Sequence, residues 1–304
     1  MAIIDRLAGA SRIGLGLAAV GRPGYINLGR AADLPVERTV EALRARAGEL
    51  LDQAYAAGVR YVDVARSYGR AEEFLAQWLR SRPDVDDVVV GSKWGYTYTA
   101  GWRVEAETHE VKEHSVATFD RQYGETRALL ADRLDLYQIH SVTPESPALR
   151  DATLHRRLAD LAEQGVLVGL STSGPAQAEV IRSALGVRVD GQPVFRSVQA
   201  TWNLLEPSVG PALAEAHDAG CLVIVKEALA NGRLAVREGV GDAVALAAAL
   251  HRPWAAIVLS GAATGDQLAS NLRAETLAVD SARWADLAVP PTRYWQERSQ
   301  LPWT

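Results

Sequence analysis

The chain has 304 residues, an ordinary hydrophobic fraction of 48% and a single cysteine, enough for one large α/β domain or two ordinary ones with a sizeable core. Its formal charge of −5 is mild and spread along the chain, which leaves no electrostatic footprint for nucleic acid or an anionic membrane. Cys221, followed by Leu222 to Val225, reads as a core thiol, excludes an internal disulfide and is consistent with a reducing, cytoplasmic setting.

Ser11 to Leu17 reads as a Gly-containing strand. Gly14-Leu15-Gly16 and Ala19, with Asp33 downstream, formally meet a dinucleotide fingerprint, but that motif needs a helix to begin inside it, and Gly21-Arg22-Pro23-Gly24 breaks the chain instead. The apolar run Ile13 to Val20 is too short and too Gly-interrupted for a signal segment, and no stretch approaches the roughly 20 apolar residues of a membrane span. Thr39 to Ala57 carries apolar residues at helical spacing and is closed by Gly58. Arg60 to Val64 is a short strand with Tyr61, Asp63 and Ala65 on one face; Tyr68, a turn at Gly69 and a helix from Ala71 to Arg80 follow. Val88 to Val90 is a β-branched strand expected to be covered on both faces, and it ends in Gly91-Ser92-Lys93.

Between Trp94 and Lys112 lies a long aromatic stretch with Trp94, Tyr96, Tyr98 and Trp102, expected to be a loop that forms a binding wall. His109-Glu110 and Glu113-His114 are read as the polar start of a helix running to Asp132. Residues five apart on a helix lie about 140° apart, so the two histidines share no face and no metal site is expected. Leu134 to Ile139 is a strand that delivers His140. A helix from Ser146 to Gln164 precedes the strand Val166 to Ser171, which runs into Thr172-Ser173-Gly174, and another helix starts behind Pro175. Arg196 to Thr201 is a strand with Gln199 and Asn203 as polar outliers, and Ser208 to Ala219 is its helix. Cys221 to Val225 is a strand ending in Lys226-Glu227, Leu229 to Leu234 a turn, Gly241 to Leu250 a helix and Ala255 to Leu259 the last strand. Ser260-Gly261 opens a loop before Gly265 to Leu277, and the Pro- and Trp-rich tail from Asp280 is expected to be a loop folded back over the rest.

Eight strands, each followed by a helix, imply parallel strands joined by right-handed crossovers and a closed (β/α)8 TIM barrel, with an open doubly wound sheet as the structural alternative. No linker divides the chain, so residues 1–304 are expected to form a single domain. Catalytic groups of such barrels lie at the C-terminal strand ends. Asp63 or Tyr68, Lys93 and His140 come from the ends of strands two, three and four, and would converge there. A cation beside a phenol favours the phenolate, so Lys93 is expected to lower the pKa of Tyr68. Asp63 would hold Lys93 by an ion pair, and His140 would orient a reacting oxygen. The set suits proton transfer to a carbonyl oxygen as hydride reaches carbon.

The chain resembles the aldo-keto reductase superfamily from GLGLAAVGRPGY through the Gly261 to Asn271 segment. The resemblance rests on Asp63-x-Ala65-x-x-Tyr68-Gly69 with Glu72, on Lys93, and on Leu136-Tyr137-Gln138-Ile139-His140. It implies Tyr68 as general acid, Lys93 and Asp63 as its partners, His140 as the carbonyl-positioning group, and a nicotinamide cofactor lying across the barrel mouth. Positions similar to the family's carboxamide contacts are Ser171, Thr172 and Gln199; those near the pyrophosphate are Glu227, Leu229 and Asn231. Lys226 stands where many members place an aromatic ring. Ser260, Gly261, Thr264, Gln267 and Asn271 match the final phosphate loop, where Gly261 and Gln267 replace the usual cations. The family's habit slightly favours NADP(H) over NAD(H) all the same. Independently of the resemblance, the aromatic residues offer a pocket: Trp94, Tyr96 and Trp202 are the candidate substrate contacts, with Tyr98, Trp102 and the Trp295 to Trp303 tail as further aromatic lining. The resemblance implies reduction of a small aldehyde, ketone or sugar, or the same site run as an alcohol dehydrogenase, with a non-catalytic cofactor-sensing subunit as the remaining alternative. Substrate identity and oligomeric state are not legible at this level.

Overall fold

The computed structural model describes residues 3–26, 28 and 30–304. Eight parallel strands close into a barrel: β1 (Ile13–Gly16), β2 (Tyr61–Asp63), β3 (Val89–Trp94), β4 (Leu136–Val142), β5 (Leu167–Thr172), β6 (Ser197–Thr201), β7 (Leu222–Lys226) and β8 (Ile257–Ser260). Each pairs with its sequence neighbours, and β1 closes the ring against β8 through Ile13↔Val258 and Leu15↔Ser260. The crossover helices are α1 (Val40–Ala56), α2 (Ala71–Ser81), α3 (Val116–Leu130), α4 (Ala152–Glu163), α5 (Gln177–Leu185), α6 (Gly210–Asp218), α7 (Gly241–Leu250) and α8 (Gly265–Leu272). The expected closed barrel is the observed one, and the open sheet is excluded.

The period of two along each strand sorts side chains into two apolar layers. Tyr61, Val89, Leu136, Leu222, Ile224 and Ile257 fill the barrel interior. Room for the Tyr61 ring comes from glycines: a Cβ on Gly91 would lie 2.3 Å from its hydroxyl, and one on Gly14 2.8 Å from its ring. The opposite strand faces, with Leu15, Val62, Val90, Tyr137, Val198 and Val223 among them, pack under the helices. Helix starts are capped as the residue types dictate: Thr39, Ser115 and Asp151 each accept a backbone N–H of the first turn.

Three expectations change. The aromatic stretch is not a plain loop: Tyr96–Tyr98 pairs antiparallel with Glu110–Lys112, because alternating residues on both sides of a turn can satisfy their backbone groups only as a ladder. The following helix starts at Val116, with Ser115 as cap, so Glu110 is in a strand and His114 precedes the helix. The tail is not a plain loop either, since Pro291–Ser299 forms a further helix, α9, that packs Tyr294 and Trp295 onto the outer layer. The tail does fold back: Thr304 and Tyr25 exchange backbone hydrogen bonds of 3.0 and 3.2 Å. Among the described residues no helix is long and apolar enough to cross a membrane.

Candidate active site

Asp63 ends β2, Lys93 is the fifth residue of β3, and His140 lies within β4, so the register Asp63↔Gly91 and Lys93↔Gln138 sets the three groups at one end of the barrel. His140 is inside its strand rather than after it. A register break between Ile139 and Val142, with Ser141 at φ +57°, turns the strand there. The break is held by Ser171, whose hydroxyl accepts the Ser141 N–H at 2.8 Å. His114 bonds the His140 carbonyl at 2.9 Å and Ser146 Oγ at 2.7 Å. Tyr68 stands in the turn after β2, its N–H donating to the Ala65 carbonyl. This turn touches the loop after β1 through two glycines: a Cβ on Gly21 would lie 2.5 Å from the Tyr68 carbonyl, and one on Gly69 2.5 Å from the Gly21 carbonyl.

Lys93 is fully buried and its ammonium meets Asp63, the Val64 carbonyl at 3.1 Å and the Tyr68 hydroxyl at 3.5 Å. Asp63 also accepts from Gln199 Nε2 at 2.9 Å, which ties the pair to β6. The Tyr68 and His140 rings meet edge to face at 5.5 Å, and Tyr96 packs edge-on against His140 at 5.0 Å. Burial pushes the Tyr68 phenol well above its ordinary value of 10, and the Asp63 charge adds to it. The net downward shift expected of this phenol is therefore not found: burial and the carboxylate outweigh the lowering by the Arg22 cation, and the phenol stays protonated at neutral pH. Burial, reinforced by Lys93, Lys226 and Arg22, drives His140 well below its usual range and keeps the imidazole neutral. Burial lowers Lys226 to about 8, with Glu227 opposing.

These groups open into a cavity of about 410 Å³ that runs from Asp63, Tyr68 and His140 past Gln199, Lys226, Glu227, Leu229 and Asn231 to Ser260, Gly261, Gln267 and Asn271. Lys93 and Tyr96 do not line it themselves but touch Tyr68 and His140, which do; the other predicted positions lie off it. Trp94 is fully buried on the outward face of β3, against Phe119 of α3 and His114. Trp202 is buried against Trp254 in the outer layer. Neither can reach the cavity, because each occupies the strand parity opposite to Lys93 and Gln199, and the substrate role expected for them is withdrawn. Thr172 is likewise outward, donating to Gln177 of α5 at 3.0 Å; Ser171 and Thr264 support the wall, the latter as the cap of α8.

Sequence reasoning missed several lining groups. Arg22 packs over the Tyr68 ring at 5.5 Å and bonds Glu110 and the Ser67 carbonyl at 2.8 Å each. Trp303, stacked on His109 at 4.1 Å, and Tyr25 flank the same guanidinium. Arg298 reaches from α9 to clasp Glu227, Nε to Oε2 at 2.8 Å and Nη2 to Oε1 at 2.5 Å. Asp33 and Asp242 line the far end. The Gly-Arg-Pro-Gly turn is the one signal for Arg22 in the sequence; Trp303 belongs to the Trp-rich tail expected to contribute to an aromatic pocket, and Arg298 carries no signal.

The cavity fits an extended polar ligand. Asn231 is 7% exposed and its Oδ1 is buried with no hydrogen-bond partner, although the residue lines the cavity. A Cβ at Gly261 would meet nothing within 4 Å. Among the described residues no group of three side chains is placed to hold a metal ion.

The profile of the aldo/keto reductase family matches residues 12–241. An aldo-keto reductase of Strobilurus tenacellus is 25% identical over 220 residues, 72% of this chain and 57% of that protein. An aryl-alcohol dehydrogenase [NADP(+)] of Phanerodontia chrysosporium is 25% identical over 165 residues, 51% of this chain and 41% of that protein. The chain thus spans about half the length of these curated relatives. The structure of an aldo-keto reductase from Bacillus halodurans superimposes with a TM-score of 0.65 at 20% identity, covering 95% of this chain and 92% of that one. With the profile matching well over half its length, the chain belongs to the aldo/keto reductase family.

Proposed function

We propose that this protein is an NAD(P)(H)-dependent oxidoreductase that interconverts a small carbonyl compound and its alcohol, with Tyr68 as general acid in reduction and base in oxidation. The observation that carries this reading is the buried Asp63–Lys93–Tyr68 chain with neutral His140 facing the same cavity. A nicotinamide dinucleotide bound along the cavity would exchange hydride with the substrate carbon. Tyr68 holds its proton at neutral pH and delivers it to the carbonyl oxygen; the Lys93 ammonium at 3.5 Å stabilises the phenolate left behind. Asp63 fixes Lys93, and His140, a neutral donor, orients the oxygen. Gln199, Lys226, Glu227, Leu229, Asn231, Ser260, Gly261, Gln267 and Asn271 would hold the dinucleotide, with Ser171, Thr172 and Thr264 behind them, and Tyr96 beside His140 is the retained substrate contact.

The family's habit and the cofactor in the name of the aryl-alcohol dehydrogenase relative favour NADP(H); the residues at the far end of the cavity, treated below, argue the other way. One domain over 1–304 and a cytoplasmic setting complete the proposal. The test is turnover of reduced dinucleotide with a panel of small aldehydes and ketones. Tyr68→Phe should lower kcat by about 10²–10⁴-fold while dinucleotide binding persists; equal turnover by parent and variant would sink the assignment.

A further inference from the structure

His140 is on β4 and Ser260 on β8, four strands apart in a closed ring of eight, hence on opposite sides of the mouth. The cavity joins them. A dinucleotide whose reactive ring meets Tyr68 and His140 therefore puts its adenosine ribose beside Gly261 and Gln267. Among the described residues the side chains there are acidic and neutral, with Asp33 and Asp242 as the charged groups lining that end. The cations that line the cavity are engaged toward the other side: Arg22 with Glu110 and the Ser67 carbonyl, Arg298 with Glu227, and Lys226 with Thr201.

Gln267 is fixed as a donor toward Asp33. Its Oε1 accepts the Ala263 N–H at 2.9 Å, so its amide N–H₂ faces the carboxylate and bonds Oδ2 at 2.8 Å. Arg46 approaches the same turn but spends Nη1 on the Asp33 and Ala263 carbonyls, at 3.0 and 2.8 Å, and its Nε lies 3.5 Å from Glu49. Asn271 and Ser260 are bonded to each other at 2.7 Å. A neutral amide supports the carboxylate without cancelling its charge.

We propose that Asp33, oriented by Gln267 and assisted by Asp242, makes this cavity select a dinucleotide with a free adenosine 2′-hydroxyl, NAD(H), over its 2′-phosphorylated counterpart, NADP(H). A carboxylate accepts from ribose hydroxyls and repels a phosphate dianion, which needs Arg or Lys instead. This inference rests on the nicotinamide-dependent reading above and reverses the preference expected from family habit.

The test is a fluorescence titration of the full chain, using its tryptophans, with NADH, NADPH, adenosine 5′-monophosphate and adenosine 2′,5′-bisphosphate at one ionic strength. NADH should bind at least about tenfold more tightly than NADPH, and the monophosphate more tightly than the bisphosphate. Asp33→Asn should narrow the ratio mainly by improving NADPH. Adding Gly261→Lys, whose side chain would enter open space, should reverse it. NADPH binding as tightly as NADH to the parent, or an unchanged ratio in a folded Asp33→Asn variant, overturns the inference but leaves the oxidoreductase reading standing. Failure of both dinucleotides to bind overturns both. The parent's ratios decide the matter even where a variant misfolds.

Discussion

Arg298→Gln removes the guanidinium that joins α9 to the residue after β7, and its cost can be worked from the structure. Glu227 is 10% exposed and receives two hydrogen bonds from Arg298, with Lys226 at 3.6 Å. Burial alone would push this carboxyl up, but Arg298 and Lys226 outweigh it and hold it at about 2, against an ordinary 4.5. That difference corresponds to about 3 kcal/mol. Because the folded-state value is depressed, the stabilisation is complete above the ordinary value and is lost as pH falls through about 2. By pH 3 the parent has lost about 2 of those 3 kcal/mol. Arg298→Gln should therefore be less stable than the parent by roughly 2–4 kcal/mol at pH 7, and the gap should shrink to about 1 kcal/mol at pH 3. Urea unfolding at both pH values, compared at equal m-value, measures it. A gap below about 1 kcal/mol at pH 7, or one of the same size at both pH values, would refute the argument that charge pairing holds the tail over the cavity.

Lys93→Met strands the Asp63 carboxylate in the barrel and should cost about 3–5 kcal/mol in denaturant unfolding; Asp63→Asn added to it should recover part of that stability without restoring turnover. A double variant no more stable than the single would show that the buried charge is not the cause. Lys226, drawn down to about 8 by burial, loses its charge beside Glu227 and His140 as pH rises through that value. The pH profile of kcat/KM should accordingly inflect near 8 in the parent and lack that inflection in Lys226→Met, and an identical profile in both would exclude Lys226 from the site.

How far the sequence could be read depended on whether the signal was local. The strand and helix alternation was legible because Val88 to Val90, Cys221 to Val225 and Gly241 to Leu250 carry their periodicity within a few residues, and the helix last named occupies the predicted span. Glu110 to Lys112 was misread as helix because an antiparallel partner sixteen residues upstream, Tyr96, outweighs local preference. Trp94 and Trp202 were misread for a different reason. Lys93 and Gln199 point into the barrel, so residues one and three positions later face the helices; the period of two held that information, but aromatic composition was weighed in its place. Ser141 at φ +57° has no counterpart in its residue type, and the turn that aims His140 could only be seen once β4 and β5 were paired.

What the sequence determined by itself is the chemistry of each strand end: an acid, a phenol, a lysine and an imidazole, each placed by a short pattern and an alternating barrel order. Tertiary structure alone decided their protonation and their neighbours. The proton affinity of Tyr68 follows first from its burial and then from the Asp63 charge beside it. Arg22, Arg298, Trp303 and Asp33 come to the cavity from segments tens to hundreds of residues away. Closing the barrel removes water from these groups and brings distant charges within a few ångströms, and both effects act through space, where sequence separation carries no information.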